Sequence, residues 1–194
     1  LIAVFLVGLF LGLLLYLTSN SKSAFGRGFY AVVTAIVNIF RAIPFIILIV
    51  LLIPFTKFLI GTIIGVQAAI PALIISAAPF YARLVEIGLR EVDKGVIEAD
   101  RALGAKSITI ITKVLIPESL PAIVSGLTVT AIALVGATAM AGVIGAGGLG
   151  NLAYLDGFQR NNSTLTFVAT VLILVIVFAI QILGDTVVKK IDKR

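Results

Sequence analysis

The sequence predicts an all-α membrane protein of about five transmembrane helices with one long cytoplasmic loop, and three observations carry that prediction. Of its 194 residues 60% are hydrophobic and 12% charged, against roughly 45–50% and about 25% in a soluble domain. The apolar residues fall in runs long enough to cross a hydrocarbon core about 30 Å thick. The fifteen basic residues are segregated to alternate connections between those runs, as expected of a chain with a fixed orientation in a bilayer.

The runs are residues 1–17, 30–53, 58–81, 122–146 and 165–184. The first begins on Leu1 rather than Met and has neither the basic leader nor the small-residue cleavage site of a signal peptide, so it is expected to be a transmembrane helix that has lost part of its start. The other four are long enough outright. Connections 18–29 and 82–121 and the tail after Gly184 lie on one side. They hold Lys22, Arg27, Arg83, Arg90, Lys94, Arg101, Lys106, Lys113, Lys189, Lys190, Lys193 and Arg194, whereas 54–57 and 147–164 hold Lys57 and Arg160. Twelve against two places the 82–121 loop and the C-terminus in the cytoplasm, with the N-terminus outside. The net charge of +6 and pI near 9.8 therefore report topology, and a mean hydropathy of +1.22 leaves no solvated basic face for nucleic acid. Cys and His are absent, which excludes disulfides, thiolate nucleophiles, imidazole bases and the usual zinc sites. The whole chain, 1–194, is expected to be a single membrane domain.

The 82–121 loop holds six of the nine acidic residues. Within it Val92, Val96, Ala99 and Leu103 form an apolar stripe at helical spacing, Gly104 is placed to end that helix in a left-handed cap, and Ser107 to cap a second helix over 108–116. Pro117 and Pro121 punctuate the return to the membrane, so two short helices beneath the bilayer are expected.

Glu98-Ala99-Asp100, Gly104 and Val114-Leu115-Ile116-Pro117 resemble, with matching spacing, the EAA signature of ABC-importer permeases. The departures are Asp100 for the second Ala, Val114 for Ile and Ile116 for Leu. Residues 37–45, 142–152 and 181–185 extend the likeness over most of the chain to the permease subunits of methionine importers. The resemblance implies the type I ABC importer transmembrane domain in a cell inner membrane, acting as a homodimer. Its implied partners are two ATP-binding subunits, which hold the ATP and Mg, and an extracytoplasmic substrate-binding protein. It implies methionine as the small-molecule substrate and no cofactor in this chain. Residues 82–121 become the coupling loop, with Glu98, Ala99, Asp100, Ala102, Leu103 and Gly104 facing the ATPase.

Gly145-Ala146-Gly147-Gly148-Leu149-Gly150 contains G-x-G-x-x-G but lacks the strand, helix and distant acidic residue of a dinucleotide site. It suits a tight turn with close backbone approach, or a flexible loop. Arg41 is a basic residue inside a run, about 11 residues or roughly 16 Å from its start, where a charge is a functional candidate. With Asn38 and Pro44 it marks a pathway or gate, the alternatives being a structural tie or snorkelling. Thr128, Thr130, Thr138 and Met140 lie on the fourth span, which lines the pathway in the family. Thr138 and Met140 join the pathway candidates, against gap-filling as the plainer role. Gly126, Gly136 and Gly142 suit helix packing. Tyr154, Asp156, Gln159 and Arg160 in the outer loop 147–164 are candidates for docking the binding protein, against a solvated connector. No G-x-x-x-x-G-K-[ST] occurs, so the chain is expected to be no enzyme and ATP to be hydrolysed elsewhere. Another solute of the same family, or an ATP-independent transporter or channel, are the alternatives. Intramembrane hydrolysis lacks its residues.

Overall fold

A computed structural model describes residues 1–19, 21 and 23–192. Lys22, Lys193 and Arg194, counted above among the cytoplasmic charges, lie outside the described residues. The elements are α1 Ile2–Ser19, α2 Ala24–Ala42, α3 Phe45–Leu51, α4 Ile53–Ile60, α5 Val66–Arg90, α6 Lys94–Ala102, α7 Ser107–Ile110, α8 Ile116–Met140, α9 Gly148–Asn151 and α10 Ser163–Ile191. A π-helical turn, Ile111–Leu115, joins α7 to α8, giving one helix over Ser107–Met140. A second π-helical stretch, Leu152–Gln159, continues α9. No strand occurs among the described residues.

α5 is the centre of the bundle. α1 runs parallel to it, since Gly8 faces Ala78 and Tyr81 while Gly12 faces Ala82 and Val85. These are small residues four apart on both helices, the pattern that lets backbones approach where lipid provides no drive to associate. α8 runs antiparallel: Gly88 meets Ala122, Gly126 meets Leu84, and the buried Tyr81 hydroxyl donates to the Ile123 carbonyl at 3.2 Å. α2 is also antiparallel to α5, with Tyr30 beside Glu86 and Arg41 beside Phe80. α10 packs outside on α8, Gly184 against Thr128. Four helices are long and apolar enough to cross a membrane, and α2 with α3 makes a fifth, bent pair.

Several boundaries differ from those the hydropathy predicts. Residues 30–53 are not one span. Proline disfavours helix at the residue before it, and Ile43, ahead of Pro44, is extended at φ −75° and ψ 122°, ending α2 at Ala42; α3 leaves at 107°. Residues 58–81 are split by Gly61, left-handed at φ 83°, and α5 then continues to Arg90. Arg83, Glu86 and Arg90 are therefore on a membrane helix rather than in a loop, and the non-spanning stretch between α5 and α7 is 91–106. The separate helix expected over 108–116 is the start of the long one. Pro117 does not break it, because the π-helical turn ahead widens the ladder where the ring meets the preceding turn. Residues 147–164 are mostly helical rather than a loop.

Candidate functional site

Two regions, one at each end of the lower half of α5, hold the coupling candidates and two of the pathway candidates. At the first, three residues link α5 to α6. The Asp93 carboxylate accepts from the Gly95 N–H at 2.7 Å and caps the helix. Ile97 is buried and, with Val92, joins a cluster that includes Leu89, Ile110 and Leu115, so α6 is wedged against both α5 and the long return helix. Gly104 ends α6 at φ 82°. Its N–H donates to Arg101 O and the Ala105 N–H to Asp100 O, both at 3.0 Å, the paired bonds of a Schellman cap. Ser107 makes no side-chain cap.

The expected stripe is divided between two directions: Val92 is buried, whereas Val96 is 45% and Leu103 85% exposed. Ile97, off the stripe, is the anchor the periodicity missed. Glu98, Ala99, Ala102 and Gly104 are exposed and Asp100 half-buried. All six coupling candidates thus sit on α6 or its C-terminal cap, where Ile97 is anchored inward while Val96 and Leu103 point away from their own chain.

Just above, Glu86 is fully buried. Arg83 donates to one carboxylate oxygen at 2.6 Å, Arg90 to the other at 2.7 Å, and the Tyr30 hydroxyl lies 3.4 Å away, tying α2 to α5. Pairing of this kind is what a carboxylate in a membrane helix requires. The i, i+3 and i+7 spacing of these charges is the sequence signal that places them on one helical face.

The second region is a cavity of about 340 Å³ between α2, α5 and α8, lined by Arg41, Ser76, Phe80, Gly136, Met140 and apolar neighbours. Two pathway candidates, Arg41 and Met140, meet here from different helices, and the Arg41 guanidinium rests 6.0 Å from the Phe80 ring centroid. Arg41 is in the last turn of α2, not within a continuous span as expected, and a cation is favoured at that end of the helix. Asn38 and Pro44 are exposed nearby on the chain. Thr138 is not brought to this cavity; it lines another with Val4, Leu73 and Ile180 and donates to Val135 O at 2.7 Å. Gly136 borders the cavity rather than a packed helix, with open space where a Cβ would stand. Thr128 and Thr130 bond back to Val124 and Gly126 carbonyls. Phe80 and Ser76 were not singled out by the sequence, which gives an uncharged residue in an apolar run no mark.

The glycine run is a turn: Gly145, Gly147 and Gly148 all have φ between 70° and 87°, and the Ile144 carbonyl accepts from Gly65 at 2.9 Å. It sends α9 back along α8, where Gly150 lies against Ala139. Of the docking candidates, Tyr154 stacks on Phe158 at 5.9 Å, Asp156 pairs with Arg160 at 3.0 Å, and Gln159 is exposed. Tyr154, Asp156 and Gln159 lie on the π-helical stretch and Arg160 caps its end. No group of three or more acidic side chains among the described residues is placed to hold a metal.

Comparison with known proteins agrees with this geometry. The Bacillus subtilis methionine import system permease protein MetP is 66% identical over 181 residues, 93% of this chain and 82% of that protein. The probable D-methionine transport system permease protein MetI of Pasteurella multocida is 44% identical over 97% of this chain and 87% of its own length. A crystal structure of the MetNI methionine ABC transporter in an inward-facing conformation superimposes with a TM-score of 0.94 at 47% identity, covering 99% of this chain and 89% of that one. A more distant amino acid ABC transporter, at 21% identity and TM-score 0.76, shares the fold. The family model for the binding-protein-dependent transport system inner membrane component matches residues 5–194. With four spanning helices, a fifth bent pair and a family match over residues 5–194, the chain belongs to the binding-protein-dependent transport system inner membrane components, a family of transport permeases rather than of enzymes.

Proposed function

We propose that this chain is the permease of an ATP-driven methionine importer, in which two copies form the pathway and solute moves by alternating access. One domain, 1–194, carries the whole of this role. Two ATP-binding subunits bearing ATP and Mg dock on α6 through Glu98, Ala99, Asp100, Ala102, Leu103 and Gly104. The pathway passes Asn38, Arg41, Pro44, Thr138 and Met140. An extracytoplasmic binding protein delivers substrate at Tyr154, Asp156, Gln159 and Arg160. α6 and the C-terminus face the cytoplasm of a cell inner membrane. Methionine as substrate is supported by the names of the relatives reported above.

The observation that carries the proposal is α6 itself. Apolar side chains as exposed as Leu103 and Val96 on a helix fixed by an Asp93 cap, a buried Ile97 and a Schellman turn make a rigid surface complementary to a partner's cleft. A helix lying on the membrane surface would instead pair a basic face with large apolar residues opposite; α6 has Glu98, Asp100, Lys94 and Arg101 intermixed.

Leu103→Asp tests this. A buried aliphatic anchor at an interface is worth about 2 kcal/mol or more, so the substitution is expected to lower co-purification of the ATPase by roughly thirtyfold and abolish ATP-driven uptake, with the permease still in the membrane. Undiminished capture of the ATPase by Leu103→Asp overturns the docking role. Uptake into liposomes by the permease alone overturns the importer proposal.

A further inference from the structure

The cavity between α2, α5 and α8 combines an apolar wall with two polar groups that the chain itself does not use. The Arg41 guanidinium has the Phe80 ring beneath it and no carboxylate or carbonyl partner among the described residues. The Ser76 hydroxyl likewise makes no hydrogen bond among the described residues, although a helical serine ordinarily returns one to the turn before it, as Ser119 does to Leu115 O at 2.6 Å. Both groups border the same space of about 340 Å³, within the range of small-molecule sites.

The depth of these groups matters. Phe80 is the fifteenth of the 25 residues of α5, level with the Gly8 region of α1, and so near the middle of two spanning helices. α2 reaches this level and stops, turned aside by Pro44. Interrupted helices at mid-depth are where transporters hold polar substrate groups. A cation kept there without a counter-charge is costly, and the cost is relieved by an anion that arrives with the solute.

We infer that Arg41 holds the carboxylate of the amino acid in transit, with Ser76 as a second donor and Phe80 and Met140 against its apolar side chain. The guanidinium fork matches a carboxylate's two oxygens, and Met140 and Phe80 offer the polarizable contacts a thioether favours. The lining contributes no carboxylate, so the substrate's ammonium group finds no counter-charge and discrimination falls on the carboxylate and the side chain. This inference rests on the importer proposal and adds the chemical group by which the permease itself recognises its substrate.

The test is equilibrium binding of radiolabelled methionine to the permease and ATPase complex without the binding protein, competed by methionine or by methionine methyl ester, whose carboxylate is neutralised. Hydrogen bonds to charged groups contribute about 1.5–3 kcal/mol, so the wild type is expected to prefer acid over ester by roughly ten- to a hundredfold. Arg41→Gln is expected to erase that preference, Arg41→Lys to reduce it several-fold by losing the fork, and Ser76→Ala to weaken methionine binding while reducing the preference by less than Arg41→Lys does. A wild-type complex that does not bind methionine or does not distinguish the two ligands overturns the inference. An unchanged preference in Arg41→Gln does so too, and where that variant fails to assemble an unchanged preference in Arg41→Lys decides in the same way. Uptake by the full wild-type transporter, measured in parallel, separates the two proposals, because its failure with methionine sinks the importer assignment itself.

Discussion

Replacing Gly12 with Ala adds one methyl group at the tightest approach of α1 to α5. That carbon would stand 2.7 Å from the Ala82 carbonyl oxygen and 2.6 Å from Val85 Cβ, where ordinary contact begins at 3.4 Å. The carbonyl is locked in a helix and cannot yield, so α1 must withdraw by 3.4 less 2.7, or about 0.7 Å, and a gap of that size forfeits roughly a quarter to a half of each dispersion contact along the face. Val4 and Leu15, both fully buried on α1, lose packing with it. Overpacking of this kind costs about 1–3 kcal/mol, offset by up to about 1 kcal/mol because alanine favours helix over glycine. The net change expected runs from near zero to a loss of about 2 kcal/mol, read as a lower midpoint in detergent unfolding of the purified permease. Gly28→Ala on α2 is the control: a Cβ there meets nothing within 4 Å, so only the propensity gain remains and stability should hold or rise. Gly12→Ala no less stable than Gly28→Ala would refute the steric argument, since the two share the propensity gain and differ by the steric cost of about 1–3 kcal/mol.

Two further perturbations separate cap from packing and charge from shape. At Gly104 a Cβ meets no atom within 4 Å, so Gly104→Ala carries only the left-handed strain of about 1–2 kcal/mol; unfolding stability should fall by no more than that, uptake per ATP hydrolysed should fall as well, and Gly104→Asn should recover part of both. Glu86→Gln keeps the shape of the buried side chain but strips the charge that Arg83 and Arg90 share. Those arginines are 34% and 48% exposed and rehydrate in part, so the expected loss is about 1–2 kcal/mol in the same unfolding assay, with Tyr30→Phe costing less because its contact with Glu86 is 3.4 Å long.

The order of the spanning helices and the capped helix at Gly104 were legible from apolar run length and one glycine after a periodic stripe. The boundaries were not, for reasons that differ by residue. Hydropathy sums composition and is blind to direction, so the apolar residues on both sides of Ile43 and Pro44 read as one helix although the chain turns by 107° between them. It also counts charges singly, so Arg83, Glu86 and Arg90 read as loop, whereas pairing along one face lets them ride on α5. Gly8 and Gly12 carry the α1 interface, yet their importance depends on Ala78 and Ala82 some 70 residues later, a match that no local pattern reports. The helix that carries Glu98 and Gly104 was visible by resemblance, but which side of α6 is anchored depended on Ile97, which only the packing against Ile110 and Leu115 distinguishes from its neighbours.

The three faces of α5 explain why these features lie together. Ala78, Ala82 and Val85 pack on α1, Ser76 and Phe80 face the cavity, and Glu86 gathers Arg83, Arg90 and Tyr30 one turn before the helix passes into α6. Leu89, Val92 and Ile97 form one buried cluster with Ile110 and Leu115 at the root of the long helix that ends at Met140. Displacing α6 while keeping that cluster packed therefore moves both α5 and α8, because a packed core transmits strain rather than absorbing it. Phe80 lies on the first of these helices and Met140 on the second, so the same packed cluster is connected to two of the helices that line the cavity holding Arg41. Arg41 itself hangs from α2, which is tied to α5 through Tyr30 and Glu86 at the far end and cut free of a continuous span by Pro44.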